Sequence, residues 1–507
     1  MTRRRRSLVF PIAAGVGALS IGSLAVYSCL VASTDGSGRD AAPASAPVTS
    51  EAASPRVVFE VHLPAFVIQL DDWAKSPTPE NRRRLDEARD RLVSSAKLPI
   101  EVRGALAGLI DAAVGAAGAG EADADAAADT LTRSVGRLDD ALARAGLDYW
   151  VDSDVLSSGG KRIVLMFSFE VKGVSQYRSG SRLLRARRLS RLDQLNWKYT
   201  LFGFTASGRR DAVVMVDKLD ERLIASILPS LGTAAPPLPV DAGARGEAWV
   251  QPLSETARAI IAADLPAAVA APTSDLVAPI IRRAELFSAI GERFLAERGV
   301  ELAVQDTLTL PASWRDELEA IATEAQLLEL SAIEKTLGSD ASLHALEAAR
   351  EPIARSVEMH EIQHQLDLDA ELPMPAALEK LVGPIKSRRG VERSLAAHSR
   401  AELSAYLAEL ARSEVPRVVL VQLLGFAIDQ GMWGSPESFA ALVVFEQLGR
   451  ALSLGADPVV ADGKIDRAAV AAWFAKLETK TPEAVSAAAR SLWARLFSRE
   501  LAALERV

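Results

Sequence analysis

Five histidines occur in the 507 residues, and two of them stand four apart with a glutamate beside the first: His360, Glu361 and His364. Residues four apart on an α-helix share a face, with Cβ atoms about 5–6 Å apart. Two imidazole nitrogens on such a face can meet one zinc ion at about 2.0–2.1 Å each. Glu361 lies about 100° further round the helix. From there its carboxylate reaches a water on the ion rather than the ion itself. Zinc lowers the pKa of that water toward about 7, and a carboxylate can then take its proton. The chemistry these residue types suit is metal-assisted hydrolysis, with one zinc per chain.

The segment EPIARSVEMHEIQHQLD at 351–367 reads as the helix that carries these residues. Pro352 can stand at its first position, where a missing N–H costs nothing. Ile353, Val357, His360 and His364 continue one line along it. An apolar start turns that line inward, and buried imidazoles need partners, one of which a metal supplies.

The pattern H-E-x-x-H, with Val357 before it and uncharged Ile362, Gln363, Gln365 and apolar Leu366 around and after it, resembles the zincin metallopeptidases. Glu358 departs from that pattern, where an uncharged residue is usual. The resemblance covers the motif helix and the helix after it, a small part of the chain. A metzincin-like site would need a histidine six residues after His364, and that position is Ala370. A gluzincin-like site takes a glutamate from a later helix. AHSRAELSAYLAEL at 397–410 offers Glu402, followed by Ala405 and Tyr406, and E-x-x-A-Y resembles the third-ligand helix of some gluzincins. The resemblance then implies zinc on His360, His364 and Glu402, Glu361 as general base, and a protein or peptide substrate. His398 shares a side with Glu402 and can support it. Tyr406 either packs or stabilises an oxyanion. Asp367 reads as a hydrogen-bond acceptor or a cap. Glu409, Asp369 and Glu371, with His398 and Asp367, are the alternative third ligands.

Two other classes of function stay open. One is a non-catalytic structural or binding lipoprotein that keeps the helix as a relic or an accident. The other is a zinc hydrolase acting on a non-peptide amide, such as a cell-wall crosslink.

The elements around these residues suggest an α+β chain. In residues 56–232, RVVFEVHL at 56–63 alternates Phe59, Val61 and Leu63 against Glu60 and His62, which predicts a strand. DYWVD at 148–152, KRIVLMFSFEVK at 161–172, WKYTLFGF at 197–204 and AVVMVD at 212–217 predict the rest of an antiparallel sheet of four or five strands. An Ala-rich helical insert at about 80–145 would cover one face of it. The basic run at 178–198 reads as a solvated face. Residues 233–250, rich in Pro and Gly, read as a linker. Residues 251–507 read as a mostly helical, zincin-like domain, with one strand fragment at 301–311 and helices that include 341–350, 352–368 and 482–504.

The N-terminus sets the address. MTRRRR precedes a run from Leu8 to Ala32 without a charge. Arginines before an apolar run stay in the cytoplasm and send the rest of the chain outward. The run is long enough to span a membrane, although Gly, Ser and Pro11 make it a mediocre permanent helix. Cys29 ends the sequence VYSC, which resembles a bacterial lipobox and makes Cys29 a candidate for lipidation. Residues 1–32 read as a lipoprotein signal, an uncleaved anchor or a cleaved secretory signal; all three export the body of the chain, and the first two tether it to a membrane. Residues 33–55, small, polar and Pro-containing, read as a flexible tether. The expected location is the bacterial cell envelope, facing the periplasm or the exterior.

Composition narrows the rest. The chain is 49% hydrophobic and 24% charged, within the globular range. A net charge of −8 argues against a general nucleic-acid binder. A single cysteine excludes internal disulfides and any multi-cysteine metal site.

Overall fold

The computed structural model describes residues 54–507 apart from 95–96, 159–160, 194–201, 207–210, 229–249, 266, 299–317, 384–386, 389–390, 393–394, 429–433, 456–459 and 462–463. The anchor at 1–32 with Cys29, nearly all of the tether and linker, the strand fragment at 301–311 and most of 197–204 lie outside the described residues. Among the described residues no helix is long and apolar enough to cross a membrane.

Residues 55–75 form helix α1, which corrects the strand expected at 56–63. Val58, Phe59, Leu63, Phe66, Val67 and Leu70 are buried while Val61 is exposed. Spacings of three and four are helical, and the short alternation is only their beginning. Val58–His62 widen into a π turn, in which the Leu63 N–H donates to the Val58 carbonyl. The turn falls just before Pro64, whose missing N–H would interrupt a regular α ladder. Helices α2 (Pro79–Val93), α3 (Ile100–Gly118) and α4 (Ala124–Arg144) come next, as the Ala-rich insert predicts.

Then come strands β1 (Tyr149–Ser158), β2 (Lys161–Ser179), β3 (Arg182–Arg191), β4 (Gly203–Ala206) and β5 (Asp211–Met215). They lie in the order β1-β2-β3-β5-β4. The sheet is mixed rather than antiparallel throughout: β5 turns back from β4 into the place beside β3 and so runs parallel to it. Val151, Val164 and Met166 face the core of α1–α4. Leu165, Phe167 and Phe169 face the other way, toward Trp150, Val213 and Met215.

The basic run is a solvated face only in part, with Arg178 and Arg185 exposed. It is largely β3, between β2 and β5. Arg187 pairs with Asp211, Arg191 with Asp193, and Arg188 with Glu351 and Glu358. Lying inside a sheet that a helix covers, these arginines find carboxylates instead of water.

The chain continues through α5 (Val216–Arg222), α6 (Val250–Asp264), α7 (Ala267–Arg298), α8 (Glu324–Leu337) and α9 (Asp340–Asp367). Helix α9 starts at the Ser339 cap, whose hydroxyl accepts from the Ser342 N–H. It runs unbroken through the motif, so the two helices expected at 341–350 and 352–368 are one. Pro352 is buried mid-helix rather than at a first position. After α10 (Ala376–Val382) and the short pair β6 (Ser387–Arg388) and β7 (Val391–Glu392) come α11 (Leu395–Arg412), α12 (Pro416–Ile428) and α13 (Pro436–Ala451). The pair β8 (Val460–Ala461) and β9 (Lys464–Ile465), then α14 (Arg467–Leu477) and α15 (Pro482–Phe497), complete the helical part. Helix α15 stops seven residues short of the expected 504. Ser498 turns left-handed, with φ 54°, and Leu501 buries itself. Then β10 (Glu505–Arg506) joins the sheet edge beside β2.

Two contacts position the motif. One side of α9 lies on the sheet, where Met359 and Ile362 pack with Tyr177, Leu184, Ala186 and Ala212. Another side lies on α11, which also packs against α12, α13 and α15.

Candidate metal centre

Helix α9 presents His360, Glu361 and His364, and α11 brings Glu402 to meet them. Ala405, the small residue of E-x-x-A-Y, is fully buried and leaves room for the close approach. The Nε2 atoms of His360 and His364 lie 3.1 Å apart. Glu402 Oε2 is 3.4 Å from His360 Nε2, and Oε1 is 3.6 Å from His364 Nε2. The ligand atoms of the three residues all lie within 4.8 Å of one another. Nitrogens 3.1 Å apart suit two ligands about 2 Å from one ion. The three side chains keep 10%, 18% and 17% of their surface exposed.

Glu409, one of the alternative ligands, has a different place. Its Oε2 lies 3.2 Å from His360 Nδ1, and Ser356 Oγ donates to its Oε1 at 2.8 Å. A carboxylate that accepts a hydrogen bond from Nδ1–H leaves Nε2 with a free lone pair toward the site, the usual support of a metal-bound histidine. The donor set and its support fit a divalent cation such as zinc.

Protonation depends on the surroundings. Burial pulls the His360 pKa down, but hydrogen bonds to Glu402 and Glu409 prevail and hold it well above the ordinary value. Burial pushes Glu402 up, yet His364 and His360 bring it below the usual carboxylate value. Burial takes His364 down to about 4. The Glu361 carboxyl is pushed up to about 8 by burial, with His360 opposing and Glu402 adding to the rise.

Glu361 is held from the sheet side. Thr205 Oγ1, on β4, lies 3.1 Å from its Oε2 and 2.9 Å from its carbonyl oxygen. Gly203 lies even closer. A Cβ there would stand 2.6 Å from the Val213 carbonyl and 2.9 Å from Glu361 Cγ and Oε1.

The other expected residues have separate places. The Tyr406 ring packs on His360, with centroids 4.6 Å apart. Burial, then the Glu402 charge, hold its hydroxyl well above its ordinary pKa. His398 lies one turn before Glu402 and feels its charge, but its Nδ1 has no hydrogen-bond partner among the described residues. Asp367 is not brought to the histidines: its Oδ1 accepts from Gln363 Nε2 at 2.7 Å. Glu358, the departure from the zincin pattern, turns to the sheet and meets Arg188, Ser175 and Tyr177.

Three residues of the site escape a reading of the sequence. Thr205 sits in a segment with the composition of a turn, and nothing local marks it. Glu409 reads only as a ligand, although its spacing of seven from Glu402 already puts it on the same side. Glu437, in the first turn of α13, is buried, and its pKa is raised by burial and then by the Glu402 charge. Its signal is the cap sequence Ser435-Pro436-Glu437, close to the more conspicuous Trp433, which lies outside the described residues.

Compared with known proteins, the chain matches no protein-family model, no curated protein and no solved structure.

Proposed function

We propose that the chain is a membrane-tethered, extracytoplasmic zinc metallopeptidase of the bacterial cell envelope. The observation that carries the reading is the convergence of His360, His364 and Glu402, from two helices, with the Glu361 carboxylate beside them. Zinc held there would supply a Lewis acid that polarises a carbonyl and acidifies water. The chain's own residues do the rest. Glu409 fixes the His360 ring and its tautomer. Thr205 holds the Glu361 carboxyl through Oε2. Glu361 takes that proton from the attacking water and passes it to the leaving amine.

A peptide is favoured over another amide by β4. It is an edge strand, it pairs only with β5 among the described residues, and its Thr205 touches Glu361. A strand edge can take up an extended peptide through backbone hydrogen bonds. The apolar run at the N-terminus supports the tether.

Digestion of an unfolded protein mixture by the purified chain, read by mass spectrometry, tests the reading. New termini should appear with the wild type and be absent with Glu361→Gln. Equal cleavage by both would remove Glu361 from the chemistry.

A further inference from the structure

Behind the motif helix lies a cavity of about 480 Å³ that the proposed chemistry does not use. Its walls come from α9, the end of α11, α15 and the C-terminal segment. Met359 stands on it, about 200° round α9 from Glu361, so it opens on the other side of the helix from the general base.

Its lining is unusually cationic. Arg355, Arg412, Arg490 and Arg506 face it, against the single carboxylate of Glu414. Glu414 is bound to Arg355, which also binds Glu351. The other three guanidiniums have no carboxylate ion-pair partner among the described residues. Arg412 donates to the Gln363 side chain at 2.9 Å and to the Ala502 carbonyl at 2.7 Å. Arg490 donates to the Ala411 carbonyl at 3.2 Å, and Arg506 contacts Ser175 Oγ at 3.4 Å. All of these acceptors are neutral, and each guanidinium has further N–H groups to give. Burial takes the Arg412 pKa down to about 10; the Arg490 charge pushes the same way and the Asp367 charge opposes it. Arg412 and Arg490 repel each other beside the cavity, and a bound anion would relieve that cost. Guanidinium forks fit phosphate oxygens in pairs. The volume exceeds a bare phosphate and falls in the range of small-molecule sites, and Met359, Leu504 and Ala503 give the lining an apolar portion.

We propose that this cavity binds a soluble small molecule through a phosphate group, held by Arg412, Arg490 and Arg506. The site uses none of the metal ligands, although Ser356 in its wall also donates to Glu409.

Titration calorimetry of the full chain in detergent with inorganic phosphate, against chloride at equal ionic strength, tests this. A saturable isotherm is expected with phosphate, with a Kd of roughly 0.1–1 mM, and none with chloride. Arg490 and Arg506 are exposed, so Arg490→Gln combined with Arg506→Gln should leave the fold intact and weaken binding at least about tenfold. Ala503→Glu, also at an exposed position, puts a carboxylate among the arginines and should abolish binding. His364→Ala should bind phosphate as the wild type does. Phosphate heat that matches chloride, or binding that survives the double substitution, would overturn the proposal. Loss of binding in His364→Ala would move the anion to the metal centre and overturn it too. Displacement of bound phosphate by phosphatidylglycerol in mixed micelles, but not by phosphatidylcholine in the same micelles, would make the occupant a lipid headgroup and overturn the soluble ligand.

Discussion

On the sheet side of α9, the Glu358 carboxylate is fully buried and meets the Arg188 guanidinium at 2.7 Å, Ser175 Oγ at 3.2 Å and the Tyr177 hydroxyl. Three residues on, the Glu361 side chain is nearly as buried, yet Thr205 is its one hydrogen-bond donor among the described residues. Burying a carboxylate is costly unless charge and hydrogen bonds compensate it. Glu358 has both and ties the helix to β2 and β3. Glu361 lacks a full set, and its pKa rises to about 8. The same residue type on one helix thus fastens in one place and stays ready to exchange a proton in the other. Both carboxyls face the sheet, Glu358 at β2 and β3 and Glu361 at β4, while His360 and His364 turn to Glu402 on α11.

The contrast can be broken at either end. The largest effect belongs to Glu361→Gln, which should lower peptide hydrolysis by roughly 10²–10⁴-fold while zinc content and fold persist; kcat and metal analysis on one preparation read both. Next is Arg188→Met, which strips Glu358 of its cation. Breaking a buried pair costs about 3–5 kcal/mol, so chemical denaturation should show a loss of that order. A loss under about 1 kcal/mol would mean that Ser175 and Tyr177 suffice and the contrast is weaker than drawn.

Glu409→Gln sharpens the picture on the other face. Removing the carboxylate behind a ligating histidine should weaken zinc binding about 10–100-fold, as chelator competition would read. The smallest effect is in pH. In the metal-free chain burial lowers the His360 pKa, but Glu402 and Glu409 raise it well above the ordinary value. A proton must therefore leave His360 before zinc can bind. Affinity should fall about tenfold per pH unit below that pKa, and at neutral pH about one proton should be released from His360 per zinc. Calorimetry in buffers of different ionisation enthalpy counts these protons, and a count of zero at pH 7 would contradict the assignment.

Much of the candidate site is legible in the sequence because helical spacing is local. H-E-x-x-H puts two candidate ligands on one face by their separation alone, and E-x-x-A-Y marks Glu402 on the helix that meets them. What escapes depends on contacts remote in sequence. Thr205 reaches Glu361 across 156 residues, and Glu358 looks out of place because its partner Arg188 lies 170 residues away. The α+β class comes from the strong strand patterns at 148–172 and 212–217 and from the helices after 250. The strand expected at 56–63 fails because a window of eight residues cannot separate alternation from the first turns of a helix. The parallel β3–β5 pair depends on which strand slots between which, and no local pattern carries that.

Whether His360, His364 and Glu402 make one metal site is read from zinc per chain, by elemental analysis of the purified wild type and of His364→Ala. About one zinc is expected in the wild type and close to none in the variant. A wild type that takes up no stoichiometric metal when zinc is supplied at neutral pH, or a variant that keeps it, would rule the site out.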